Sequence, residues 1–205
     1  MVASDGRLAR GEASRAAILE AATRVVAGRG IQALTHRAVA AEIGAPHARV
    51  VYHFASVDEL RRATLVRAGE RITGRLALSI GECVDPAQVP QAAGQLAVHM
   101  VTDLRDETVT LYALMAQATR DETLRTAAQA LTGQISDLVE PLSGSRELAS
   151  RAAAALLGTV LVAMSEGLDR DPEAIRSLAV DLVAHFDPHT PASQGGTAVQ
   201  TGDRR

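Results

Sequence analysis

The stretch Leu34–Leu60, LTHRAVAAEIGAPHARVVYHFASVDEL, decides how the chain is read. Its spacing predicts two short helices around a tight turn, followed by the capped start of a third. Thr35 suits an N-cap, because its hydroxyl can accept from an N–H that the first helical turn leaves unpaired. Val39 and Ile43 fall four residues apart on one face. Gly44 follows where the chain must leave that helix, a place where a residue without Cβ takes positive φ at little cost. Pro46 suits the opening turn of the next helix, and Val50 and Phe54 carry the apolar face onward at the same spacing. His47, Ala48, Arg49, Val51, Tyr52 and His53 are left pointing outward. They present donors, methyl groups and an aromatic hydroxyl, the groups that meet base edges and phosphates in a DNA groove. Ser56 and Glu59 make an S-x-x-E capping box for the third helix.

Upstream, Ile18, Ala21, Ala22, Val25 and Val26 form a stripe at helical spacing, ended by Gly28 and Gly30. Ile31 and Leu34 are expected to fold back on it, so that one small core unites them with Val39, Ile43, Val50 and Phe54. Residues 1–13 are polar and contain glycine, Arg7 and Arg10, and they read as a mobile arm. Such an arm is either a frayed terminus or a reach into the minor groove.

The charge pattern agrees with a nucleic-acid role for the N-terminal end. The 205 residues carry a net charge of −3, which alone does not suggest DNA. Residues 1–62, however, hold nine arginines against six acids, and residues 63–205 hold twelve against eighteen. There is no lysine, so every permanent cationic phosphate contact must come from arginine. Aromatic residues make up only 2% of the chain, which favours helices packed through alanine and leucine. Cys83 is the single cysteine, which excludes an internal disulfide and points to a free thiol in a reducing compartment. No charged-then-apolar leader opens the sequence, and the nearly uncharged run Ala152–Ser165 is shorter than the ~20 residues a bilayer requires. The expectation is a soluble, cytoplasmic protein with no membrane partner.

Beyond the first three helices, Asp58–Ile80 reads as one connecting helix, weakened in its middle by Gly69 and Gly74. The segment 81–90 is a break, with Pro86 and Pro90. Further helices are expected over Val89–Arg105, Thr108–Thr119 and Asp121–Glu140, the last ended by Pro141. Ser145–Leu168 is apolar nearly all round and must be covered on more than one face. Asp171 and Pro172 open a final helix through Phe186. Two adjacent helices, one oversupplied with apolar surface, suggest a four-helix interface with a second copy. The tail from Asp187 is expected to be disordered. The fold class is therefore all-α. A flexible arm (1–13) precedes a helix-turn-helix domain (14–62), a larger helical ligand-binding and dimerisation domain (63–186), and the tail (187–205).

The residues Thr35 to Leu60, with no gap, and the preceding Ala16–Gly30 with its AAxxxVxxxG ending, resemble the N-terminal domain of the TetR family of transcriptional regulators. Thr35, Val39–Ala40, Gly44, His53–Phe54 and Leu60 carry the resemblance. It implies a regulator, usually a repressor, that dimerises through its last two long helices, binds a palindromic operator and is released by a small molecule. It also implies that Arg37 touches DNA and that His47 and Arg49 read bases. The expected DNA-contact set is Thr35, His36, Arg37, His47, Ala48, Arg49, Val51, Tyr52, His53 and Ser56. His53 could equally pack against its own domain, and Thr35 and Ser56 serve as caps besides. The sequence departs from the family at Pro46, Val51 and Val57, where Ser, Tyr and Lys are usual. Two phosphate anchors are thereby lost, and the neighbouring Tyr52 offers a substitute hydroxyl.

In the C-terminal domain a cavity for a small, mostly apolar effector is expected among Met100, Leu104, Tyr112, Met115, Gln117 and Met164, with His99 and Asp103 as polar partners. His36, His47 and His53 are spaced to lie on different faces and do not suggest a metal. No phosphate-cradling glycine loop, nucleophile-elbow serine or Glu-x-x-His pair occurs. No cofactor and no enzymatic activity are expected. The rival reading is a helical protein–protein interaction module without specific DNA binding.

Overall fold

The structure, a computed structural model, describes residues 2–82 and 86–184, which form helices and the short turns between them, with no strand. Nine α-helices are described: α1 (Val2–Arg29), α2 (His36–Glu42), α3 (His47–His53), α4 (Val57–Gly81), α5 (Val89–Val101), α6 (Arg105–Ala118), α7 (Glu122–Ser143), α8 (Arg146–Ser165) and α9 (Pro172–Ala184). Cys83, Phe186 and the tail expected to be disordered lie outside the described residues.

Two apolar clusters organise the molecule. The first joins Ile18, Ala22, Val25 and Val26 of α1 to Leu34, Val39, Val50, Phe54 and Leu60, as the periodicities require. Ile43 packs at its edge, only partly buried. The second, larger cluster runs through α4 to α9, with Leu65, Ile72, Leu96, Met100, Leu111, Leu114, Leu124, Val160 and Ile175 at its centre. Helix α4 belongs to both, giving Leu60 and Ala63 to the first and Leu65, Ile72 and Leu76 to the second. The clusters also touch through α6, whose Ala113 packs on the first. Thr110 Oγ1 of α6 donates to the Thr23 carbonyl of α1 at 3.1 Å.

Several element boundaries differ from expectation. Helix α1 begins at Val2, so the segment expected as an arm is helical; good helix formers outweigh Gly6 and Gly11 there. Helix α5 stops at Val101, where Thr102 Oγ1 folds back on the Val98 carbonyl, and α6 starts at Arg105. No Gly or Pro marks that joint, which burial of Leu104 decides. Pro141 lies inside α7, which continues to Ser143 and stops at Gly144 with φ +76°. A proline in the last turn removes only one backbone bond, and the left-handed glycine makes the true stop. Gly69, read as a weak point of α4, is a close contact. A Cβ there would lie 2.6 Å from Leu131 Cδ1.

Candidate DNA interface and effector cavity

Local chemistry builds the N-terminal site. Thr35 Oγ1 accepts from the Ala38 N–H at 3.1 Å and starts α2. Gly44 turns the chain with φ +61°, and Pro46 is the N-cap of α3 rather than its first helical residue. Ser56 Oγ accepts from the Glu59 N–H at 3.0 Å. The Glu59 carboxylate reaches back to the Ala55 N–H at 2.9 Å, one residue before the cap. Val50 and Phe54 anchor α3 with no exposed surface, and Arg15 lies over the Phe54 ring at 4.9 Å.

Anchoring turns one face of α3 to solvent. His47, Ala48, Arg49, Val51 and Tyr52 are exposed, Tyr52 by 85%. Arg37 and Thr35 on α2 and Ser56 beyond α3 are exposed as well. Several arginines nearby are held by acids: in this domain Arg24 and Arg29 by Glu42 and Arg61 by Asp58, and further along α4 Arg67 by Glu20. Among the described residues, Arg37 and Arg49 have no such partner. Two histidines serve the domain itself. His53 is half-buried and shares a hydrogen bond with Ser14 Oγ at 3.1 Å, tying α3 to α1. His36 is half-buried and meets the His47 ring edge-on at 6.0 Å.

In the larger domain a cavity of about 70 Å³ opens between α4, α5, α7 and α8, with Val183 of α9 also on its wall. Ile72, Leu76 and Ile80 of α4 line it with Leu96 and Met100 of α5, Ile135, Val139 and Leu142 of α7, and Ala152, Ala153, Leu156 and Leu157 of α8. Of the eight residues expected to form a pocket, only Met100 lines this cavity. Leu104 is buried in the core, and Met115 and Met164 pack against its edge. Gln117 is half-buried on α6, away from the cavity wall. Tyr112 donates its hydroxyl to the Leu157 carbonyl at 2.6 Å, joining α6 to α8; burial pushes its phenol above the ordinary tyrosine range.

His99 and Asp103, expected as polar partners of a ligand, pair with each other instead, Nδ1 to Oδ2 at 2.9 Å, and Asp103 faces solvent. Arg75 and Gln95 both donate to His99 Nε2. A guanidinium cannot accept, so Nε2 is the accepting nitrogen and Nδ1 carries the proton given to Asp103. Sequence periodicity placed the methionines and His99 on plausible helices, but the α5–α6 break after Val101 changes which faces meet. The small apolar residues of α8 that line the cavity carry no signal that separates them from plain core.

Helix α8 has an unpartnered face. Leu161 and Val162 are 47% and 53% exposed, and Leu178 of α9 is 44% exposed. By length and composition α8 is the one helix among the described residues apolar enough to cross a bilayer. Its packing against α7, α5 and α9 is that of a bundle helix.

A three-helix head whose third helix turns an arginine-bearing face to solvent, set on a larger helical body, is the architecture of a helix-turn-helix protein. Residues 18–64 match the family model described as bacterial regulatory proteins, tetR family. A solved TetR-family member from Streptomyces coelicolor A3 is 29% identical with a TM-score of 0.69, over 82% of this chain and 97% of that one. The multidrug binding protein EbrR, solved with imidazole, is 29% identical with a TM-score of 0.64, over 87% of this chain and 97% of its own. A transcriptional regulator from Streptomyces coelicolor A3(2) shares the fold at a TM-score of 0.72 and 23% identity, over 85% of this chain and 98% of that one. No curated protein matches the sequence. The N-terminal domain thus matches the TetR family model, and the chain is similar to a solved TetR-family member over most of its length.

Proposed function

We propose that the protein is a homodimeric repressor that binds a palindromic operator and is released from it by a small apolar effector. The observation that carries this reading is the exposed face of α2 and α3, on which Arg37 and Arg49 stand without acidic partners, whereas Arg24, Arg29 and Arg61 are paired. On this reading Arg49 and His47 read base edges, Ala48 and Val51 meet thymine methyls, and Thr35, Arg37, Tyr52 and Ser56 hold phosphates. His36 and His53 support the domain and contribute to DNA through it. Dimerisation is assigned to α8 and α9, since Leu161, Val162 and Leu178 together offer an apolar face that a second copy would cover.

The effector reading rests on the cavity. Its wall includes Ile72, Leu76 and Ile80 of α4, the same helix that gives Leu60 and Ala63 to the DNA-binding head. A ligand that widens this space shifts α4, and with it the two heads of a dimer, whose half-sites lie ~34–36 Å apart. Ligand-bound neighbours favour such a site: EbrR is solved with imidazole and with proflavin.

Selection of bound sequences from random duplex DNA tests the proposal. A symmetric site, bound with an affinity that falls steeply as salt rises, is expected. Indifference to every duplex at low ionic strength would overturn it and leave the interaction-module reading.

A further inference from the structure

We infer that the effector is neutral and without hydrogen-bonding groups, a small hydrocarbon-like molecule rather than a cation of the multidrug type. This rests on the reading that the α4–α5–α7–α8 cavity is the effector site. Every side chain lining the cavity is aliphatic or methionine. Among the described residues no carboxylate reaches it to neutralise a cation, and no aromatic ring lines it to receive one. Of the Tyr and Phe rings among the described residues, Tyr52 stands on α3, Phe54 is in the head core, and the Tyr112 hydroxyl is already given to the Leu157 carbonyl. His99, the polar group of α5 nearest in sequence to Met100, is likewise occupied by Arg75, Gln95 and Asp103. A polar ligand would therefore lose its hydration and find no replacement, whereas an apolar one meets a wall that holds no well-bonded water.

Size adds a second constraint. The cavity is about 70 Å³, roughly half the ~150 Å³ that lets an engineered apolar cavity take up benzene. Even one six-membered ring must push the helices apart, and α4 is one of them. The same misfit that limits affinity makes occupancy a signal.

The test uses the full-length protein and probes matched in size: toluene, benzylammonium and benzoate, with limonene as a larger hydrocarbon and proflavin as a larger cation. Toluene or limonene near 100-fold its Kd is expected to raise Tm by about 5–10 °C, while the charged probes leave it unchanged. Ala153→Leu, which fills the cavity, is expected to weaken hydrocarbon binding at least tenfold with helicity unchanged. Leu142→Ala, which enlarges it, is expected to strengthen limonene binding and keeps the test open should the first variant fold poorly. Hydrocarbon binding that responds to these variants but leaves operator DNA bound would support the ligand class and refute the effector role. Stabilisation by benzylammonium or proflavin that Ala153→Leu removes would refute the ligand class and retain the site. Stabilisation by no probe, or by probes indifferent to both variants, would overturn both.

Discussion

Replacing Phe54 by alanine is expected to melt the DNA-binding head while the body stays folded. Phe54 has no exposed surface and sits among Ile18, Val25, Val39, Val50 and Leu60, with the Arg15 guanidinium over its ring. Truncating a buried phenylalanine costs about 3–5 kcal/mol when the surroundings cannot close the space. A head of some 60 residues has a stability of about 3–9 kcal/mol on its own, so the loss takes at least about a third of it and at the lower end exceeds all of it. The body keeps its separate cluster, in which Leu65, Ile72 and Leu76 hold the rest of α4. Calorimetry should resolve an early transition for the head and a late one for the body, and limited proteolysis should cut before residue 63 and spare the remainder. Specific DNA binding should be lost. One cooperative transition displaced as a whole would refute the reasoning, and would show that the Thr110–Thr23 bond and Ala113 weld the clusters into a single unit.

Arg49→Ala should relax sequence preference at one base position by about 1–3 kcal/mol, measured by competition between specific and random duplex; equal losses on both would remove it as a base reader. Leu161→Arg combined with Leu178→Glu should shift the protein toward monomer in sedimentation, because the exposed apolar face of α8 and α9 is then charged. Gly94→Ala places a Cβ 2.7 Å from Val180 Cγ2 and 3.1 Å from the Arg176 carbonyl, forcing α5 and α9 apart. Overpacking of about 1–3 kcal/mol should outweigh the ~1 kcal/mol gained in helix propensity, and chemical denaturation measures the balance. Tyr112→Phe removes the donor to the Leu157 carbonyl and should cost about 1 kcal/mol, with α6 looser against α8 in hydrogen exchange.

The DNA-binding head was legible in the sequence because its determinants are local. Thr35, Gly44, Pro46 and Ser56 act on the backbone within a few residues of themselves, and the spacing of Val39, Val50 and Phe54 names the buried face, so the exposed face follows by subtraction. Which of those exposed residues are free to meet DNA was not legible. The pairings Arg24–Glu42 and Arg67–Glu20 and the His53–Ser14 bond join positions far apart in the chain.

Helical class, the connecting helix and the apolar excess of α8 were likewise written in composition and periodicity. The cavity was decided by tertiary structure. Apolar helices carry several faces that could turn inward, and only the packing of α4, α5, α7 and α8 selects Ala153, Leu142 and Leu156 to line a space while Met115 and Met164 pack at the core's edge. The joint between α5 and α6 and the passage of α7 through Pro141 belong to the same kind of decision. There the energy of burying side chains against distant helices exceeds the local preferences that sequence patterns report.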